Sequence, residues 1–430
     1  MKEKFIKSTI ILMVGGLITK ALGMFIKVIS ARTIGIEGIG LFMLMFPTFA
    51  LFMSIGKLSL PIAISKLVSE ERHNNKKILF SALPIIFITN LVLIIVILLS
   101  ANFIASVFLK DPRVYLPIIC IAFTLPFEAI SNLLRGYYFG RQKMTPHVIS
   151  HIVEQLVRLT LIVTVIPHLL ELNITYAVGF LVAVNMFSEL ASTIALILML
   201  PNKTTIKKSD IKIEKENMKN ILDISVPTTS GSLVGNIGYF LEPIIITTVL
   251  LGFGYSNDFI LKEYGIITGF VLPLLLLPAF FTTAISQALL PVISKSYINR
   301  NYTYTKNKLK QGLLFSALIG IPITLFFLIF PEFSLKLIYN TTEGVRYMRF
   351  LAPAFLLLYI QTPLSSSLQA MGRAKDTFKI SLKTVVFRTV SLFLILLLNI
   401  GMWGFIASQM LSIIYSTIEH FRYIGKALKG

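Results

Sequence analysis

The chain has 430 residues, of which 55% are apolar and only 14% charged, with a formal net charge of +20. An ordinary soluble domain carries about 25% charged residues, and a soluble chain of this length has too little interior to hide so much apolar surface. The composition therefore excludes a water-soluble globule and points to a lipid bilayer as second solvent. Nucleic-acid binding, the usual meaning of a strongly basic chain, is not expected here, because the placement of the charges tells a different story.

A hydrocarbon core of about 30 Å needs about 20 helical residues to cross it, and lipid offers an unpaired backbone no partners, so each crossing must be helical. In chain order the apolar stretches are 8–30, 38–65, 79–108, 114–138, 147–169, 174–200, 220–250, 264–292, 309–330, 347–370, 378–398 and 401–423. They predict an all-α polytopic membrane protein with about twelve transmembrane helices. The stretch 8–30 is long enough to span, so no cleaved signal peptide is expected. The long stretch 79–108 is expected to tilt, or to lie along the interface at one end.

Of the 40 Lys and Arg, 28 fall in alternate connections: 2–7, 66–77, 135–143, 203–219, 295–310, 373–383 and 422–429. The opposite set holds seven: Arg32, Lys110, Arg113, Lys262, Lys336, Arg346 and Arg349. Such a bias marks the cytoplasmic side. It predicts a multi-pass protein of the cytoplasmic membrane with both termini inside (N-in/C-in) and an even number of spans. The single cysteine, Cys120, lies among isoleucines and is expected to be an inert, buried thiol.

The basic connection 203–219 lies at the midpoint of the chain. It predicts a cytoplasmic linker between an N-terminal six-helix lobe, 1–202, and a C-terminal six-helix lobe, 220–430, its lysines lying against anionic headgroups of the membrane lipids. Two short matches relate the halves. Gly140-Arg141-Gln142-Lys143-Met144-Thr145 recurs as Gly372-Arg373-Ala374-Lys375-Asp376-Thr377, and Pro61 with Ile64-Ser65-Lys66 recurs as Pro291 with Ile293-Ser294-Lys295. At this spacing the matches suggest an internal repeat. Gly140 and Gly372 are expected to close their helices in the left-handed conformation, with Thr145 capping the next helix and Pro146 at its first position.

An ionisable side chain at mid-bilayer costs at least about 2.5 kcal/mol, so each one needs a reason. Lys20, Lys27, Lys57, Arg158 and Arg388 lie inside apolar stretches, as do Glu128, Glu154, Glu189 and Glu242. Gly16, Lys20, Gly23 and Lys27 share one helix face, and the two lysines stand about 10 Å apart along it. Glu128, Asn132 and Arg135 make a second polar stripe, and His147, His151, Glu154 and Arg158 a third, in which Glu154 and Arg158 can pair. Two arrangements fit these stripes. One is an internal salt-bridge lattice that locks the lobe. The other is a water-filled cavity with excess positive charge for a phosphate-bearing substrate, which Lys20, Lys27 and Lys57 favour; Arg158 is the fourth candidate phosphate ligand. Glu128, Asn132, Arg135, His151, Glu154, Glu242 and Arg388 are then the candidate polar or gating residues. Glu242 fits two roles equally, holding a coupling cation (sodium or a proton) and standing solvated near the outer end. His147 and His151 lack a third ligand, so no metal is expected, and the absence of a P-loop argues against ATP hydrolysis. No catalytic residue and no cofactor other than the coupling cation is foreseen.

Gly35-Ile36-Glu37-Gly38-Ile39-Gly40-Leu41-Phe42, Pro47 and the run from Leu60-Pro61-Ile62 to Val68-Ser69-Glu70 resemble the stage V sporulation protein B group. So do Arg135-Gly136-Tyr137-Tyr138, Met144-Thr145-Pro146 and Ile152-Val153-Glu154-Gln155-Leu156-Val157-Arg158. That group belongs with the MATE multidrug exporters, the polysaccharide exporters and the lipid II flippases (the MOP superfamily). The resemblance implies two six-helix lobes around a central cavity, alternating access, and outward movement of an undecaprenyl-diphosphate-linked sugar such as a peptidoglycan or polysaccharide precursor, with cell-wall synthesis proteins as further partners. Thr19-Lys20-Ala21-Leu22-Gly23 is similar to the first-helix motif of lipid II flippases, which makes Lys20 the leading diphosphate contact. Two features depart from the pattern: twelve helices where fourteen are common, and lysines, which bind phosphate as point charges rather than as a bidentate fork. The competing functions are a MATE-like exporter of cationic drugs, which predicts an acidic cavity, and a non-transporting scaffold for spore-wall enzymes.

Overall fold

The structure is a computed structural model that describes residues 2–70, 75–200 and 213–428. Its N-terminal half contains α1 (Lys2–Lys57), α2 (Leu60–Ser69), α3 (Asn75–Phe103), α4 (Tyr115–Gly140), α5 (Met144–Leu172) and α6 (Ile174–Leu198). After α7 (Lys215–Gly252) come α8 (Asn257–Gly265), α9 (Leu272–Leu276), α10 (Ala279–Ile298), α11 (Tyr302–Ile329), α12 (Pro331–Tyr339), α13 (Val345–Ala370), α14 (Ala374–Leu396) and α15 (Trp403–Ala427). Among the described residues nine helical stretches are long and apolar enough to cross a membrane. Large apolar side chains such as Phe87, Leu99 and Leu198 stand exposed, an arrangement that lipid, not water, stabilises. The chain is an all-α, multi-pass membrane protein.

Two predicted boundaries move. The stretches 8–30 and 38–65 meet inside α1 at a non-helical kink, Gly35 (φ 68°, ψ −173°), and the second stretch divides again after Lys57. A residue without Cβ can take that conformation at little steric cost, so the chain bends there without a loop. A second break follows at Leu58 and Ser59, both left-handed. In the second half, 264–292 is part of a longer broken helix. It runs from Asn257 through a π-helical segment, Ile266–Val271, to Leu276, and resumes at α10. The stretch 79–108 also ends in a π-helical segment, Ile104–Phe108.

By packing, the described chain separates into Met1–Phe240 and Leu241–Gly430. The sequence reading places the boundary at 203–219, of which 203–212 lie outside the described residues; the packing boundary falls inside α7. The reason is local bonding of the first part of α7 and the residue before it. The Lys77 ammonium lies 2.6 Å from the Glu214 carboxylate, the Thr229 hydroxyl donates to Ser59 at 3.1 Å, and the Tyr239 ring meets Phe46 edge-on.

In the first unit α4 packs against α1, α2, α3 and α6, burying Leu133, Tyr137 and Tyr138 against Leu60, Ile64 and Leu67 of α2 and Ile78 and Ile85 of α3. In the second, α13 packs against α10, α11 and α15, burying Leu364 and Leu368 against Ile293, Leu309 and Ile424. Ile64 and Ile293, matched in the sequence repeat, are both core residues. Helices α4 and α13 are each 26 residues long and begin 230 residues apart.

The loops after α4 and α13 repeat atom for atom, but not in the register of the G-R-x-K-x-T motif. Backbone N–H groups of Arg141, Gln142 and Lys143 donate to carbonyls of Tyr137, Phe139 and Tyr138; those of Met371, Gly372 and Arg373 donate to Ser367, Gln369 and Leu368. The left-handed residues are Gln142 (φ 55°) and Gly372 (φ 75°). Gly140 is not left-handed: it is the last residue of α4, and a Cβ there would stand 2.7 Å from the Ser65 carbonyl oxygen and from Val68 Cβ. It is small for close packing on α2, not for the turn. Thr145 is likewise not a cap, since α5 begins at Met144 with Lys143 before it, which places Pro146 at the third helical position instead of the first.

Candidate functional site

The three polar stripes of the first unit converge. Glu154 on α5 is the nexus: its carboxylate accepts from Arg135 of α4 (2.8 Å), Arg158 (2.7 Å), Gln155 (3.3 Å), and it faces His151 Nδ1 at 3.0 Å. Arg135 also donates to Glu189 of α6 (3.1 and 3.4 Å) and to Ser192 (2.9 Å). Arg158 approaches Ser188 at 3.5 Å. One turn and more along α4, Glu128 lies 2.6 Å from the Lys57 ammonium of α1 and accepts from Asn132 at 2.9 Å. Arg135, Glu154 and Glu189 are all at most 4% exposed and Glu128 is 8% exposed.

The chemistry explains this degree of order. A guanidinium presents five donors in a planar fork, so one Arg135 can satisfy two carboxylates and a hydroxyl together. Charges this deep in an apolar lobe persist only when paired and hydrogen-bonded. Lys57, Arg135 and Arg158 are matched by Glu128, Glu154 and Glu189, which stitch α1, α4, α5 and α6 into one body. The buried Arg135 Nε, Arg158 Nε and Gln155 Oε1 have no bond among the described residues.

The remaining candidates lie apart from this lattice. Lys20 and Lys27 are both exposed on α1. Between them Gly23 lies beside Gln155, whose Oε1 would be 3.8 Å from a Cβ there. No carboxylate bonds the Lys27 ammonium among the described residues. Lys57 is intermediate, its side chain 40% exposed even while it is paired. His147 lies between Phe139, tilted against it with ring centres 4.3 Å apart, and His151, edge-on at 4.7 Å. Among the described residues no group of three His, Cys, Asp or Glu is placed to hold a metal ion. Cys120 is a free thiol, half-buried rather than fully enclosed.

In the second unit Glu242 of α7 is 3% exposed, so it does not stand solvated at the outer end. It accepts from the Tyr264 hydroxyl (3.1 Å) and from Gln409 Nε2 (3.1 Å), with Arg388 Nη2 at 3.7 Å. A separate uncharged network ties α13 to α15: Gln361 donates to the Ile413 carbonyl (2.8 Å) and to Thr417 (2.6 Å), and accepts from Ser416 (3.2 Å).

Sequence reasoning assembled the α4 and α5 stripes but left Glu189 without a role, and missed Gln155, Ser188, Ser192, Tyr264 and Gln409. For Glu189 a signal was available. Arg135 had no acid at helical spacing on α4 in the direction of α6, and an embedded acid on the next-but-one helix was its natural partner. The neutral residues carry no such signal, because a serine or glutamine in an apolar helix looks the same wherever it faces.

Residues 5–297 match the family described as Polysaccharide biosynthesis protein, and residues 267–394 match MatE. Stage V sporulation protein B of Bacillus subtilis (strain 168) is 32% identical over 99% of this chain and 85% of its own length. Among solved structures, an inward-facing multidrug resistance MATE family transporter of the MOP superfamily superposes with a TM-score of 0.73 at 15% identity, covering 98% of this chain and 99% of that one. Lipid II flippase MurJ in an inward closed conformation superposes at 0.70 with 16% identity, covering 97% and 89%.

Proposed function

Because the chain belongs to the polysaccharide biosynthesis protein family of the MOP superfamily, we propose that it is a flippase that moves an undecaprenyl-diphosphate-linked sugar outward across the cytoplasmic membrane by alternating access. Both termini lie on the cytoplasmic side, as the alternation of basic connections requires. The reading is supported by relatives whose names carry polysaccharide, sporulation and lipid II chemistry.

The observation that carries it is the state of the α1 lysines. Lys27 is exposed, within an apolar helix, and bonded to no carboxylate among the described residues, while Lys20 stands exposed on the same face. An ammonium in such a place is stabilised by an arriving anion, and a diphosphate supplies that charge. Lys57 and Arg158 serve differently: each is held by an acid, Glu128 and Glu154, and each can exchange that partner for a phosphoryl oxygen. The acids then keep the site neutral when the substrate is gone.

The test is outward movement of a fluorescent undecaprenyl-diphosphate sugar in proteoliposomes. A charge-assisted hydrogen bond is worth about 1.5–3 kcal/mol, and about 1.4 kcal/mol is tenfold, so Lys27→Ala is expected to slow movement about tenfold or more, and Lys20→Ala likewise. Wild-type rates in both variants would remove the site. The MatE match over 267–394 favours a second reading, export of cationic drugs. Drug resistance conferred on cells lacking other exporters, with no movement of the lipid-linked sugar, would establish that reading in place of ours.

A further inference from the structure

A carboxylate buried in an apolar lobe must be neutralised by a proton, by an exchangeable metal cation, or by a fixed cation of the protein. At Glu242 the structure supplies the third. The two oxygens are divided between neighbours: Oε1 accepts from Tyr264, and Oε2 accepts from Gln409 and faces Arg388 at 3.7 Å. That distance exceeds a hydrogen bond, so Arg388 contributes charge, while Tyr264 and Gln409 supply the direct bonds.

Arg388 reaches Glu242 because its own helix offers it nothing. Arg158, 230 residues earlier on α5, pairs with Glu154 four positions before it. Four positions before Arg388 stands Thr384, whose hydroxyl is buried and unbonded among the described residues. The α14 arginine therefore crosses to α7, where its side chain, 23% exposed, covers a carboxylate that is otherwise enclosed.

We propose that Arg388 is a tethered counter-ion: its guanidinium occupies the place of an exchangeable alkali cation beside Glu242. With the guanidinium removed, the Glu242 carboxylate and the Tyr264 hydroxyl, joined by the Gln409 amide oxygen once that amide turns over from donating its Nε2 to Glu242, form a hard-oxygen site that takes sodium. Carboxylate and carbonyl oxygens are the ligands such ions select. On the transporter reading above, from which only this consequence follows, a sodium gradient does not drive this chain through Glu242.

The experiment is thermal unfolding of the purified full chain in sodium chloride against choline chloride at equal ionic strength. The wild type is expected to melt at one temperature in both. Arg388→Met is expected to gain a saturable sodium-dependent rise of roughly 2–4 °C. Adding Glu242→Gln to that variant abolishes the rise, and Arg388→Lys keeps the wild-type insensitivity. A saturable sodium stabilisation of the wild type that Glu242→Gln removes would overturn the proposal, as would a folded Arg388→Met that melts alike in both salts. Should Arg388→Met fail to fold in either salt, the wild-type and Glu242→Gln comparison decides on the same criterion. Unfolding needs no substrate, so a failure of the flippase assay leaves this result standing.

Discussion

The two units are built on one helical plan and charged in different ways. Helices α4 and α13 have equal length, and the loops that follow them make the same three backbone hydrogen bonds. Yet around α4 four helices are joined by Lys57, Arg135, Arg158, Glu128, Glu154 and Glu189, whereas in the second unit the charge on Glu242 is met across helices by Arg388, and α13 is held to α15 by Gln361, Ser416 and Thr417. The frame of a repeat is maintained by backbone geometry and apolar packing, which tolerate many sequences. Ionic chemistry is set by single residues and can diverge within that frame.

The sharpest way to break this contrast is Arg135→Leu. It strands Glu189 in an apolar interior and leaves Glu154 to Arg158 and His151, and removing one partner of a buried pair costs about 3–5 kcal/mol. Thermal or denaturant unfolding of the purified variant is expected to show a loss of that size; a change under about 1 kcal/mol would mean that the lattice does not hold the first unit together.

Packing gives the next effect. Gly140 and Ala370 occupy the same place at the ends of α4 and α13; Gly140 has no room for a Cβ against α2, whereas at Ala370 a Cβ is already packed on the core of the second unit. Gly140→Ala is expected to cost about 1–3 kcal/mol through overpacking, while Ala370→Gly should change stability by no more than the usual helix preference of about 1 kcal/mol. Equal effects at the two positions would contradict the close approach of α4 to α2.

The smallest effect concerns the turn. Gln142 pays the left-handed strain that Gly372 avoids, so Gln142→Gly is expected to stabilise by up to about 1 kcal/mol and Gly372→Ala to destabilise by about 1 kcal/mol. The same sign at both positions in an unfolding titration would show that the two loops are not equivalent.

How much of this was legible beforehand differs by level. Apolar length located the long helices, because crossing lipid imposes about 20 residues whatever the fold, but not the nine-residue α8 and α12. The division of the first two apolar stretches is matched by the non-helical Gly35 between them, whereas the second break, at Leu58 and Ser59, lies inside an apolar run and carries no such mark. The G-R-x-K-x-T match found the right loops two residues out of register, because the motif followed a packing glycine in one half and a turn glycine in the other. For the candidate site, the helix-local pair Glu154–Arg158 was visible from spacing, whereas Lys57–Glu128, Arg135–Glu189 and Arg388–Glu242 join residues 54 or more positions apart and left no periodic trace.

The sequence by itself determined that this is a helical membrane protein with two related halves and charges buried at a cost. Hydropathy and helical period are local properties that lipid reads directly. Only the tertiary structure decided which charges meet, because partners on different helices are chosen by how those helices pack and not by their distance along the chain. It is that choice that left Lys27 without a bonded carboxylate among the described residues and gave Glu242 a counter-ion from within the protein.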